Sequence, residues 1–188
     1  MESQISNYRL ERWIALFLSL LFLLPFVAQA QAQEIALVCS DNSAWLEPNG
    51  ATTPAHAWVL PAKHLEAGPV TTATCNDVPQ PTPARIAFNG AQSTLHWRCN
   101  PSSVEGFKQC ALLLDEQVLT WRMALDDQEM RVLVSFAGDA DRDGRLDLLL
   151  DISRNGSEWH PALFLSSAAK KGQLVAKVAE AVVTTPEL

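Results

Sequence analysis

Residues 138–147 read Gly-Asp-Ala-Asp-Arg-Asp-Gly-Arg-Leu-Asp, so that, counted from Asp139, carboxylates stand at positions 1, 3, 5 and 9 and a glycine at 6. Four carboxylates this close repel one another unless a positive centre sits among them. Beyond them, Leu146, Leu148, Leu150 and Ile152 share one side of a period-two pattern, and Asp147, Leu149 and Asp151 share the other. That is the periodicity of a strand. The acidic run therefore joins two strands, 131–137 and 146–152. A helix–loop–helix calcium hand is excluded by these flanks. It also needs a bidentate Glu at position 12, where this chain has Leu150, with Asp151 one residue later.

Alternating Asp residues on a tight loop aim several oxygens at one point, which suits a hard cation. Calcium takes 6–8 oxygens at about 2.3–2.6 Å. The expected ligands are the side chains of Asp139, Asp141, Asp143 and Asp147 and the backbone carbonyl of Arg145, with Asp151 at the far end of a loop spanning 138–151. Gly144 permits the sharp turn. Arg142 and Arg145 should point outward and soften the repulsion. With every ligand position supplied by protein, the ion is structural; metal catalysis needs an open position.

The run Gly138 to Leu148, with Phe136-Ala137 before it and Leu149 after it, resembles the calcium loop of FG-GAP-type repeats, found in integrin α-chain propellers and many bacterial exported proteins. The resemblance implies Asp139, Asp141, Asp143 and Asp147 as side-chain ligands and Arg145 as a carbonyl ligand. It covers about eleven residues and one loop, whereas propellers need several, so it implies a site and not a propeller. The stretch Asp139 to Val175 is also similar to a group of uncharacterised bacterial exported proteins, which carry a segment like Pro161-Ala162-Leu163-Phe164-Leu165-Ser166-Ser167 after such a loop. That likeness brings no activity with it.

The rest of the chain points to one mainly-β domain, a single antiparallel sandwich or curled sheet with a strand–calcium loop–strand unit. Asn89-Gly90 predicts a hairpin between 85–88 and 93–97, because both residues tolerate positive φ. Asp115-Glu116 predicts a second hairpin between 107–114 and 117–123. Pro161 to Leu165 reads as a strand, and Ser166 to Val183 reads as helix or strand. Seven of eleven prolines fall between Pro48 and Pro83, so residues 33–83 are expected as a Pro-rich, irregular, extended region packed on a β-rich core of residues 84–188.

Residues 1–32 have the form of a cleaved signal peptide: Arg9 and Arg12, an apolar run from Trp13 to Ala28 of about 16 residues, and Ala-x-Ala exits ending at Ala30 and Ala32. Pro25 interrupts the run, and a spanning helix needs about 20 residues. The expected compartment is periplasmic or secreted, with no membrane attachment after cleavage. Four cysteines in the mature part then read as two disulfides. Three pairings are open. Cys99–Cys110 with Cys39–Cys75 is favoured, because Asn100-Pro101-Ser102-Ser103 and Gly106 make a loop joining two strands between the first two.

With 21 Asp+Glu against 14 Lys+Arg and a net charge of −7, nucleic-acid binding is excluded as an expectation, since it needs a basic footprint. His56, His64, His96 and His160 sit in no metalloprotease motif, and there is no Gly-x-Ser-x-Gly elbow. Trp45, Trp58, Trp97, Trp121 and Trp159 share no face and read as packing rather than a sugar platform. Asn155-Gly156-Ser157 fits a glycosylation acceptor or a plain turn. The function expected is a non-enzymatic, calcium-stabilised binding or accessory module with an unidentified protein or envelope partner. The alternatives are a secreted hydrolase with a structural calcium, and an envelope interaction protein using an exposed sheet edge.

Overall fold

In the computed structural model the described residues are 33–40, 43–49, 57–153, 158–181 and 183–184. The expected signal peptide and Asn155-Gly156-Ser157 lie outside them. Fifteen strands occupy these residues: β1 (Glu34–Ser40), β2 (Ser43–Pro48), β3 (Ala57–Pro61), β4 (Gly68–Thr74), β5 (Pro79–Gln80), β6 (Ala84–Phe88), β7 (Ala91–Pro101), β8 (Phe107–Leu114), β9 (Gln117–Leu125), β10 (Val132–Asp139), β11 (Asp147–Asp151), β12 (Glu158–Trp159), β13 (Pro161–Leu165), β14 (Ala176–Glu180) and β15 (Val183–Thr184). The described residues contain one 3₁₀ turn, Ala62–His64, and no α-helix. In the segment after Ser166, residues 167–175 are turns and irregular backbone, and Ala176–Glu180 forms strand β14.

Every pairing is antiparallel. The main sheet runs β14-β13-β11-β10-β4-β2-β1-β3, with β5 also on β10, and curls until nearly closed. It takes strands from both sides of residue 83. The second sheet is the meander β6-β7-β8-β9, and β12 pairs β15 separately. Prolines in the N-terminal part stand at strand ends, as Pro48, Pro61 and Pro79 do, where a missing N–H costs the ladder least.

Period-two patterning explains how the layers pack. Leu148 and Leu150 of β11, with Ala162 and Phe164 of β13, meet Ile86, Leu95, Leu112 and Leu114 of the second sheet in one core. Leu149, Leu163, Leu165 and Phe136 point the other way, into a core with Leu37, Leu46, Trp58 and Leu60 inside the curl. So β11 is buried on both faces. This explains a strand of three consecutive leucines, all about 1% exposed or less. The Asn89-Gly90 hairpin forms as expected, with φ of 45° and 79°. The two disulfides are Cys39–Cys75 and Cys99–Cys110, the second joining directly opposed residues of β7 and β8. Of the tryptophans, Trp58 is buried and its ring lies tilted against that of Trp159, 4.4 Å between centroids, but Trp121 is exposed.

Candidate metal centre

The acidic loop spans the gap between β10 and β11, which are hydrogen-bonded neighbours with Gly138 opposite Asp147. Gly138 has φ of 158°, and a Cβ there would collide with the Thr71 carbonyl and the Thr72 Cα of β4. The glycine before the first Asp is thus needed for the close approach of two backbones.

The loop's own amides organise its carboxylates. Asp143 N and Gly144 N each donate to a different oxygen of Asp139, both at 2.9 Å. Ala140 N donates to Asp147 Oδ2 at 2.8 Å, and Ser166 N donates to Asp147 Oδ1 at 2.7 Å. As a result Asp139, Asp141 and Asp147 each present a carboxylate oxygen, all within 4.8 Å of one another. Asp147 is fully buried and Asp139 nearly so. At an effective dielectric constant of 20, two unit charges at that separation repel by about 3 kcal/mol. The group can hold a metal ion, and without one its charge is opposed by burial. Burial pushes the Asp147 carboxyl up to about 6, and the nearby Asp141 charge adds to it, against the pull of the Ser166 and Ala140 N–H groups.

Three carboxylates of the expected set converge, and the others are placed as follows. Asp143 is turned to Arg145, whose Nε and terminal nitrogen donate at 2.9 and 2.8 Å, and to the Ser166 hydroxyl. Burial pushes the Asp143 carboxyl up, but hydrogen bonds from the Arg145 N–H, its guanidinium and Ser166 outweigh this and leave it below the ordinary range. The Arg145 side chain is largely exposed and pairs with Asp143. Asp151 is not brought to the site. It lies four residues along β11, roughly 13 Å away at strand rise, and its Oδ1 accepts from Ser153 N and His160 N.

Three anchors outside the loop hold it in place. Arg142, at φ of 65°, sends its guanidinium to the carbonyls of Glu66 at 2.9 Å and Ala67 at 3.1 Å, just before β4. Asn89, in the turn of the second sheet, donates to the Gly144 carbonyl at 2.9 Å. Ser166 and Ser167, following β13, donate their hydroxyls to Asp143 and Asp141. Ligand spacing alone does not reveal Ser166 and Ser167. The pairing of β11 with β13, Leu148 opposite Phe164, carries the chain after Leu165 past Asp147.

His160 lies within 3.5 Å of Glu180, beside Asp151, and His96 stands opposite Leu113 in the second sheet. A cavity of about 600 Å³ lies between β3 and β14, and none of residues 139–147 lines it. Comparison with known protein families, curated proteins and solved structures finds no match for this chain.

Proposed function

We propose that this chain is an exported, non-enzymatic β-domain that holds one structural Ca²⁺ in the 139–147 loop and serves as a binding or accessory module. The observation that carries the reading is the convergence of Asp139, Asp141 and Asp147 oxygens within 4.8 Å at a largely buried point. The FG-GAP-like spacing of the loop supports calcium as the metal. Hard oxygen donors on an irregular loop suit the variable coordination of Ca²⁺ better than Mg²⁺, which demands near-ideal octahedral geometry. Two disulfides agree with an oxidising compartment.

The ion would act through the fold. It binds only the native loop and stabilises by RT ln(1 + [L]/Kd). For a Kd near 10⁻⁴–10⁻³ M, millimolar calcium adds roughly 0.4–1.4 kcal/mol. Calorimetric titration with Ca²⁺ and Mg²⁺, paired with melting curves in calcium and in chelator, tests this. Calcium should bind at one site and raise the melting temperature, and Asp141→Ala should abolish both effects. A melting curve indifferent to calcium, with no heat of binding at millimolar concentration, refutes the reading.

A further inference from the structure

The curled main sheet has a seam. Among the described residues its terminal strands, β3 and β14, do not pair with each other, and the cavity of about 600 Å³ lies between them. The buried Leu149 and Leu163, with Val59, Leu60 and Val178, make most of its lining apolar. Pro61 and Pro161 are also on the lining and have no N–H to donate. Two carboxylates stand at this cavity, Glu34 at the start of β1 and Glu180 at the end of β14.

The two are unevenly partnered. Glu34 Oε2 accepts from the neutral side-chain amide of Asn49 at 2.7 Å, and among the described residues no cation is paired with it. Glu180 Oε2 takes both Lys177 Nζ at 2.5 Å and His160 Nε2 at 3.5 Å. The Oε1 atoms of both accept no hydrogen bond among the described residues. Against two carboxylates stands one lysine, so the mouth of an apolar cavity keeps a negative charge without a counter-charge. No residue of β3 is titratable, so Lys177 and His160 are the other ionisable groups at this point.

The described chain begins at the same mouth. Gln33 lines the cavity, and Glu34 stands opposite Pro61 at the end of β3. On the export reading, on which this inference rests, an Ala-x-Ala exit after Ala32 makes Gln33 the first residue of the processed chain. An exit after Ala30 leaves Gln31 and Ala32 in addition, roughly 7 Å of chain. Either cut turns a neutral peptide nitrogen into an α-ammonium, which is charged at pH 7 because its ordinary pKa is about 7.7–8.0.

We propose that leader removal closes this seam: the new α-ammonium docks at the mouth of the cavity, between Glu34 and Glu180, and ties the start of β1 to the end of β14. An ammonium carries three donors, enough for both free Oε1 atoms. The uncut chain has an uncharged amide at that position and cannot make the contact, so the tie forms only in the processed protein.

The test uses full-length protein that has passed through export. Its intact mass is read first. A retained leader refutes the export reading together with this inference. A removed leader with the terminal glutamine cyclised, seen as the loss of one ammonia, leaves export standing and overturns the docking, because the charge is gone. With a free terminus, NMR titration of the α-amine should place its pKa about half a unit or more above the ordinary value, the size of a partly exposed ion pair. Glu34→Gln and Glu180→Gln should each lower it, while Glu105→Gln, on an exposed loop, should not. Carbodiimide coupling, which joins amine to carboxylate with loss of water, should link the terminal nitrogen to Glu180. Asp141→Ala should leave the raised value in place, which keeps this result separate from the calcium reading. A processed terminus that titrates at its ordinary value, ignores Glu180→Gln, or couples to carboxylates other than Glu34 and Glu180 overturns the proposal.

Discussion

Replacing Asp147 with Asn tests the electrostatics of the loop with the metal removed. The Asp147 carboxyl titrates at about 6 in the folded chain, against 3.8 ordinarily. Between those values the native state holds a proton that the unfolded state has released, so stability must fall as pH rises through this window. The benefit is complete below about pH 4 and gone once pH passes about 6. At 1.36 kcal/mol per pH decade, the gap corresponds to about 3 kcal/mol. The substituted amide cannot titrate, and its NH₂ must face a backbone donor: Ser166 N on one side, or Ala140 N on the other. A buried donor left without its acceptor costs about 1–3 kcal/mol. In metal-free buffer Asp147→Asn should therefore be less stable than the parent near pH 4, and equal to it or more stable near pH 7. The difference should swing by about 3 kcal/mol, or roughly 6–12 °C in melting temperature for a domain of this size. Differential scanning calorimetry of both proteins from pH 4 to 7.5, after exhaustive removal of divalent ions, reads that swing, and the subtraction cancels the other titrating groups. In millimolar calcium the parent's swing should shrink by roughly the 0.4–1.4 kcal/mol that ion binding adds, because the ion stabilises the ionised cluster. A difference independent of pH in metal-free buffer would refute the assignment of Asp147 as the strained carboxylate.

Further outcomes follow from the same geometry. Gly138→Ala drives a Cβ into the β4 backbone, which cannot swing aside as a side chain can, and should destabilise by about 1–3 kcal/mol in urea titrations. Arg142→Ala removes the guanidinium bonds to the Glu66 and Ala67 carbonyls and should cost roughly 1–2 kcal/mol, with faster amide exchange at residues 66–69. Replacing Cys39 and Cys75 by Ala opens a longer loop than replacing Cys99 and Cys110, 36 residues of separation against 11, so the losses should be about 4 and about 3 kcal/mol. Equal losses would argue that unfolded-state entropy does not set them.

The fold class was legible because this chain states its β periodicity locally. Asn89-Gly90 and Asp115 mark turns by their tolerance of positive φ, and Leu148, Leu149 and Leu150 assign their own faces. The segment 166–183 was ambiguous because its apolar residues fit either period. Its strand β14 is fixed by pairing with β13, a contact that no local pattern records. The same holds at the site. Spacing picks out Asp139, Asp141 and Asp147, whose carboxylates converge, because the loop is short and its geometry local. It fails to separate Asp143, which a guanidinium two residues away draws aside, and Asp151, which the straight run of β11 carries out of reach.

The placement of the loop indicates why an ion there would matter to the whole domain. Asn89 reaches the loop from the second sheet, Arg142 grips the entry to β4, and Ser166 and Ser167 bind it from the end of β13. Those three contacts tie the loop to elements distant from it in sequence. With the three carboxylates ionised and mutually repelling, the loop tends to open, and opening it loosens each of these contacts. A cation at the point where Asp139, Asp141 and Asp147 converge removes that tendency. The affinity this requires is modest. About 3 kcal/mol of repulsion per pair is already offset in part by the amide donors to Asp139 and Asp147, so a weakly held ion suffices to tip the balance. Residues 139–147 carry four Asp and two Arg, a net −2 of the chain's −7, at the loop that Asn89 ties to the second sheet.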